Sequence, residues 1–271
     1  MKKFEQFAKE KRYLLGVSPA TLEWYNHSLR WLKSEEPDET ELKNAVVRMR
    51  EAGCKPSACN SYLRAINSYL KWSGSRLKAP KLKEEQRVLP TFSVEDIQKI
   101  IAWKPKDHCG RRLHTIMLAL ADTGCRIGEL LSLRWSDVDF DNLLLTVTGK
   151  GNKQRKIPFS FELRKHLVRF KHEHQLVFPT RQGRKLGRRD VLRDVKRTCR
   201  GLGVVTPERT LHAFRHTFAA NYLRRGGSVF HLQKALGHSS LEMTRRYANL
   251  NVADLQKMHP QVSLLSQGAC Q

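Results

Sequence analysis

The chain has 271 residues, long enough for one large domain or two smaller ones, each with its own buried core. Fifty Lys and Arg against 26 Asp and Glu leave a formal charge of +24, which points to a polyanionic partner and is too large for ordinary solubilising surface. No apolar run approaches the length of a bilayer and the six cysteines show no C-x-x-C pairing, so neither a membrane span nor a disulfide framework is expected; reduced thiols in a cytoplasmic protein are.

In chain order, residues 1 to about 73 read as helical. Ser18 and Pro19 open a segment in which Leu22, Tyr25, Leu29 and Leu32 recur at helical spacing as a core stripe. A further helix runs from Glu39 toward Gly53. Pro56 opens another whose apolar face is Tyr62, Ile66, Tyr69 and Leu70, stopped by Gly74. Residues 1–75 therefore form a first, four-helix domain. From residue 76 to 90 the composition turns charged and loses apolar periodicity, which marks a linker, and residues 91–271 form the second domain.

Ser93 with Glu95 and Asp96 resembles a capped helix start, and Leu113 to Leu120 reads as a strongly apolar, buried helix. Between Leu143 and Phe159 the pattern switches to alternation around Gly149, Lys150, Gly151 and Asn152, the mark of a hairpin. Helices resume from Ser160, from Arg188, from Leu211 to Arg225, from Ser228 to Leu236 and from Leu241 to about Tyr247. The expected fold is mainly α, with a small antiparallel sheet in the second domain.

Between Arg181 and Arg200 the cations crowd, with Asp190 and Asp194 as the sole acids. Arg181, Arg184, Lys185, Arg188, Arg189 and Arg193 are the candidates for contact with a phosphate backbone, because uncompensated cations on one stretch repel one another until an anion joins them. Such contacts position a duplex without reading its sequence. His108, Cys109 and His114, and His172 with His174, lack a second ligand pair at metal spacing. His212 and His216 lack the intervening Glu of a zinc hydrolase, so neither metal nor cofactor is expected.

Three segments carry the chemistry. The first is Thr123, Gly124, Cys125, Arg126, Ile127, Gly128, Glu129, Leu130. The second is Gly149, Lys150, Gly151, Asn152, Lys153. The third runs Leu211, His212, Ala213, Phe214, Arg215, His216, then Leu236, Gly237, His238, and ends on Thr244, Arg245, Arg246, Tyr247, Ala248. Each alone is common; together, in this order, they resemble the tyrosine recombinases of the phage integrase family across the second domain. Phe214, where an aliphatic residue is usual, and Cys125 depart slightly from the family pattern and remove no chemical group.

The resemblance implies a site-specific DNA recombinase whose catalytic residues are Arg126, Lys150, His212, Arg215, His238 and Tyr247. Breaking a phosphodiester with a side chain needs a nucleophile, charge stabilisation and a leaving-group acid. Tyr247 is then the nucleophile, forming a 3′-phosphotyrosyl link that conserves the bond energy without ATP. Arg126 and Arg215 clamp the non-bridging oxygens, Lys150 protonates the 5′-oxygen, and His212 and His238 assist. Glu129 is read as an orienter of the site and His216 as a residue that packs by it or supports its catalytic groups from behind. The first domain resembles, more loosely, a helical core-binding domain that clamps the opposite face of DNA, with no preceding arm-binding module, as in short Xer-type or mobile-element enzymes. Further implications are a homotetramer on two synapsed double-stranded DNA sites, a monomer when free, and exchange of the segment from about Asn251 to Leu265 between protomers. A type IB topoisomerase-like nicking and closing enzyme, or a catalytically silent DNA-binding protein, are the alternatives.

Overall fold

The computed structural model describes residues 3–84, 89–149, 153–238, 240–245 and 247. The chain divides into two compact units, Met1–Arg87 and Val88–Gln271. No described helix is long and apolar enough to cross a membrane.

The first unit contains α1 (Lys3–Tyr13), α2 (Pro19–Leu29), α3 (Glu39–Glu51) and α4 (Pro56–Trp72). Its helix starts follow local chemistry. The Ser18 side chain accepts from the Thr21 N–H and the Asp38 side chain from the Glu41 N–H, each satisfying a donor that the first helical turn leaves unpaired. The core is aromatic: Phe7, fully buried, meets Tyr25, Tyr69 and Trp72 edge-on with ring centroids 4.9, 5.4 and 5.5 Å away. Tyr69 also donates to the Glu35 carbonyl at 2.7 Å, and burial pushes its hydroxyl up to about 12. Part of the stretch read as linker is bound to this unit. Asn67 and Asn60 on α4 accept from the Ala79 and Leu82 N–H groups at 2.8 Å, and Ala79 is 3 % exposed. Two buried-side asparagines thus supply the partners that a periodicity argument does not see.

The second unit comprises α5 (Val94–Ala102), α6 (His108–Thr123), α7 (Ile127–Leu130), α8 (Phe161–Phe170), α9 (Arg188–Gly201), α10 (Thr210–Arg224), α11 (Val229–Leu236) and α12 (Leu241–Arg245). A three-stranded antiparallel sheet in the order β1 (Val138–Asp139), β2 (Leu144–Thr148), β3 (Gln154–Pro158) interrupts them. The hairpin pairs Leu145 with Ile157 and Thr148 with Gln154. Leu145, Val147 and Ile157 are buried while Thr148, Gln154 and Lys156 are exposed, the alternation of a sheet with one wet face. The fold is mainly α with a small sheet, as expected. Strand β1, two residues long, is too short to leave a period in the sequence.

Helix α6 is the centre of this unit. It packs against α5, α8, α9 and α10, and Ile116, Met117 and Leu120 are at most 1 % exposed. Helix α9 shows how the basic stripe is carried: Val191, Val195 and Cys199, four apart, face the core, and the cations fall on the outer faces.

Candidate active site

The site begins where α6 stops. Gly124 closes the helix in the left-handed conformation at φ 59°, and a Cβ placed on it would lie 2.4 Å from a ring carbon of Phe218 on α10. Both constraints select glycine. The chain then turns through buried Cys125 to Arg126, which starts α7. Glu129, at the third helical position, reaches back. Its carboxylate accepts from the Arg126 N–H at 2.8 Å and from Arg126 Nη1 at 2.9 Å. The Arg126 guanidinium is thereby held over the helix start while its side chain stays 45 % exposed, open to an anion.

Arg215 approaches from α10 and is 6 % exposed. Its Nη1 donates to the Gly124 carbonyl at 2.9 Å and its Nη2 to the Leu236 carbonyl at 2.6 Å. These are C-terminal carbonyls of α6 and α11, groups that helices leave unpaired and that carry partial negative charge. Burial, and then the nearby Arg126 charge, bring the guanidinium down to about 10, still charged at neutral pH. A buried cation whose direct partners are carbonyls has no carboxylate bonded to it to neutralise its charge, which suits it chemically to an anion.

Arg126, Arg215, His212, Arg188, Glu129 and Gly149 line one cleft of about 330 Å³. Four of the predicted residues therefore meet: Arg126, His212 and Arg215 from the predicted catalytic set, and Arg188 from the basic stripe. Burial, followed by the charges of Arg188, Arg209, Arg215 and Arg126, lowers the His212 imidazole from its ordinary range, so the ring is neutral at physiological pH.

The third segment folds over the same place. Helix α11 ends on Gly237 in the left-handed conformation, and the next residue, His238, makes a 2.8 Å bond from Nδ1 to the hydroxyl of Thr244, itself fully buried on α12. The His238 ring stacks at 10° on Tyr247 with centroids 6.3 Å apart. Burial and the charges of Arg215, Arg126 and Arg155 bring His238 down to about 4. Tyr247 packs against Ala219, Leu223, Leu232 and Leu236, and its hydroxyl lies 2.8 Å from His216 Nδ1. His216, read from sequence as a residue that packs by the site or supports its catalytic groups, is bonded to the candidate nucleophile.

Sequence reasoning did not single out Arg155. From β3 it donates Nη1 and Nη2 to the two oxygens of Glu129 at 2.9 and 2.8 Å, and Nε to the Ala235 carbonyl at 2.9 Å. Burial pushes the Glu129 carboxyl up, but the bonds from Arg155 and from the Arg126 N–H, with both charges, outweigh it and hold the group down at about 2. One carboxylate ties α7, β3 and, through Arg155, the end of α11. The signal available was the position of Arg155 on the inner part of the hairpin; its partners lie 26 and 80 residues away.

Lys150 and the segment 251–265 lie outside the described residues. Arg181, Arg184, Lys185, Arg188, Arg189 and Arg193 are all exposed. Arg193 bonds Asp190 at 3.1 Å and approaches Asp194 at 3.7 Å, so its charge is partly compensated, and Lys185 meets the Ser132 hydroxyl.

The model of the Phage integrase family matches residues 90–254. Tyrosine recombinase XerA of Pyrococcus furiosus is 30 % identical over 93 % of this chain and 91 % of its own length. Tyrosine recombinase XerC of Xanthomonas campestris is 27 % identical over 90 % of this chain and 82 % of its own. Among solved structures, the Tn1549 transposon integrase in complex with transposon right end DNA superposes with a TM-score of 0.77 at 19 % identity, covering 97 % of this chain and 99 % of that one.

Proposed function

The chain belongs to the phage integrase family and is a site-specific tyrosine recombinase, and on that footing we propose how its residues divide the work on a double-stranded DNA site. Tyr247 attacks the scissile phosphorus and forms a 3′-phosphotyrosyl link; a 5′-hydroxyl from another strand later reverses the step. Supporting this reading is the meeting of Arg126 and Arg215 in a single cleft, with the Tyr247 hydroxyl bonded to the residue that follows Arg215.

Arg126 and Arg215 bind the non-bridging oxygens. Both guanidiniums are fixed before substrate arrives, one by Glu129 and one by two helix-end carbonyls, so little reorganisation accompanies charge development. His212 and His238, held neutral, donate or accept hydrogen bonds at the phosphate rather than adding cations. Lys150, which lies between β2 and β3 in the sequence, protonates the departing 5′-oxygen. The exposed cations of the stripe position the duplex, with Arg188 extending into the cleft. The first unit grips the DNA as a core-binding domain, and a homotetramer assembles on two synapsed sites in the cytoplasm, with the segment 251–265 exchanged between protomers.

The test is a nicked duplex carrying a candidate site from the protein's own genetic neighbourhood, resolved on a denaturing gel. A covalent protein–DNA species that disappears in Tyr247→Phe is expected. Tight binding with no adduct on any such site would return the chain to the role of a DNA-binding protein.

A further inference from the structure

A phenol that attacks phosphorus must shed its proton, and at neutral pH an unassisted tyrosine is almost wholly protonated. The residue placed to take that proton here is outside the predicted catalytic set. His216 Nδ1 and the Tyr247 hydroxyl are 2.8 Å apart, with ring centroids 5.6 Å apart and the planes tilted by 41°. That is hydrogen-bond distance between imidazole and phenol, within the reach required of a general base. His216 sits on α10 directly after Arg215, so the helix that delivers a phosphate-binding guanidinium also delivers this ring.

The other two histidines of the site are engaged differently. The His238 ring runs nearly parallel to the Tyr247 ring, with centroids 6.3 Å apart, and bonds Thr244 through Nδ1. His212 lines the phosphate cleft with Arg126 and Arg215. An offset, parallel ring flanks the phenol, and a cleft-lining imidazole serves the phosphate oxygens; the hydroxyl itself is met by His216.

Taking Tyr247 as the nucleophile, as proposed above, we propose that His216 is the general base of strand cleavage and the general acid of rejoining. In cleavage the Tyr247 O–H proton passes to His216 Nδ1, whose ring carries its own proton on Nε2. The phenolic oxygen forms its bond to phosphorus as the bond to the 5′-oxygen breaks. The electron pair leaves on the 5′-oxygen, which takes its proton from a separate acid, the role assigned to Lys150. In rejoining, a 5′-hydroxyl attacks, the phenolic oxygen leaves, and the imidazolium returns the proton. No electron transfer is involved and no further reactant is needed.

Two substrates separate this role from its neighbours. One is a nicked duplex with an ordinary phosphodiester. The other carries sulfur in place of the bridging 5′-oxygen, a leaving group that departs without a proton. Cleavage is followed in single turnover for wild type, His216→Ala and His216→Gln, with melting temperature and duplex affinity measured alongside. The glutamine variant is the reference if the alanine variant does not fold. Loss of general base catalysis lowers cleavage by about 10²-fold on both substrates in both variants, with DNA affinity kept. Free imidazole restores part of the rate to His216→Ala. Near wild-type cleavage in either variant, a defect confined to the phosphodiester, or recovery by glutamine, which can hold the phenol but not take its proton, would overturn the assignment. Tyr247→Phe, run in parallel, reports on the nucleophile itself: an adduct surviving in that variant removes the premise, whatever the His216 variants do.

Discussion

Arg215 keeps its charge inside the protein against two carbonyls, and that choice explains both its fitness for phosphate and its cost to the unliganded fold. Lysine in its place stays charged but cannot span two carbonyls and a phosphate oxygen with one ammonium. Arg215→Lys should therefore lose about 10²-fold in cleavage rate while binding DNA nearly as well, read by single-turnover adduct formation beside a filter-binding titration. The histidines give a second residue-scale expectation. His238 falls from an ordinary 6.5 to about 4 on folding, so between these values the unfolded chain holds the proton more firmly than the folded one. Stability contributed by neutral His238 is thus complete above pH 6.5 and declines as pH falls toward 4. His212 and His114, lowered mainly by burial, act in the same direction. The melting temperature of the second unit should drop on going from neutral to mildly acidic buffer, and His238→Asn should flatten that slope. An unchanged slope would place the acid sensitivity elsewhere.

Among the elements, those that begin with a side-chain cap were the easiest to read from sequence. Ser18, Ser93 and Ser160 each accept from a backbone N–H three residues on, and the helices begin where these residues announce them. The hairpin was legible from its alternation. What the sequence did not disclose was how the elements are tied: Arg155 to Glu129 and Ala235, His216 to Tyr247, His238 to Thr244. Each tie except the last joins residues at least 26 apart, and no local period records such an approach. The catalytic set was nominated by three motifs whose order resembles a family, whereas the positioning of Arg126 by a carboxylate shared with β3 needed the fold. Removing that tie should separate structure from chemistry. Arg155→Lys keeps a charge near Glu129 but gives up the paired bonds, and should lower the cleavage rate by about tenfold or more through misplacement of Arg126, with DNA affinity little changed. Gly124→Ala, which forces a side chain into the left-handed region and against Phe218, should destabilise the second unit by about 2–4 kcal/mol, measured by denaturant unfolding.

For the molecule as a whole, the charge of +24 is the dominant fact, and it belongs to DNA association rather than to the fold. If the stripe from Arg181 to Arg193 and the first unit contact the phosphate backbone as proposed, affinity should fall by about 10³-fold between about 50 and about 200 mM salt, while the melting temperature of the free protein changes little. A shallow salt dependence would mean that most of these cations face solvent. If the segment 251–265 is exchanged between protomers as proposed, shortening the chain after Asn249 should weaken cooperative occupancy of paired sites more than cleavage of a single strand. The most direct measurement is to digest the covalent protein–DNA species and identify, by mass spectrometry, which residue carries the nucleotide and through which end. The account predicts a single modified peptide with a 3′-phosphate on the oxygen of Tyr247; a 5′-linked nucleotide, or one on any other side chain, would contradict it.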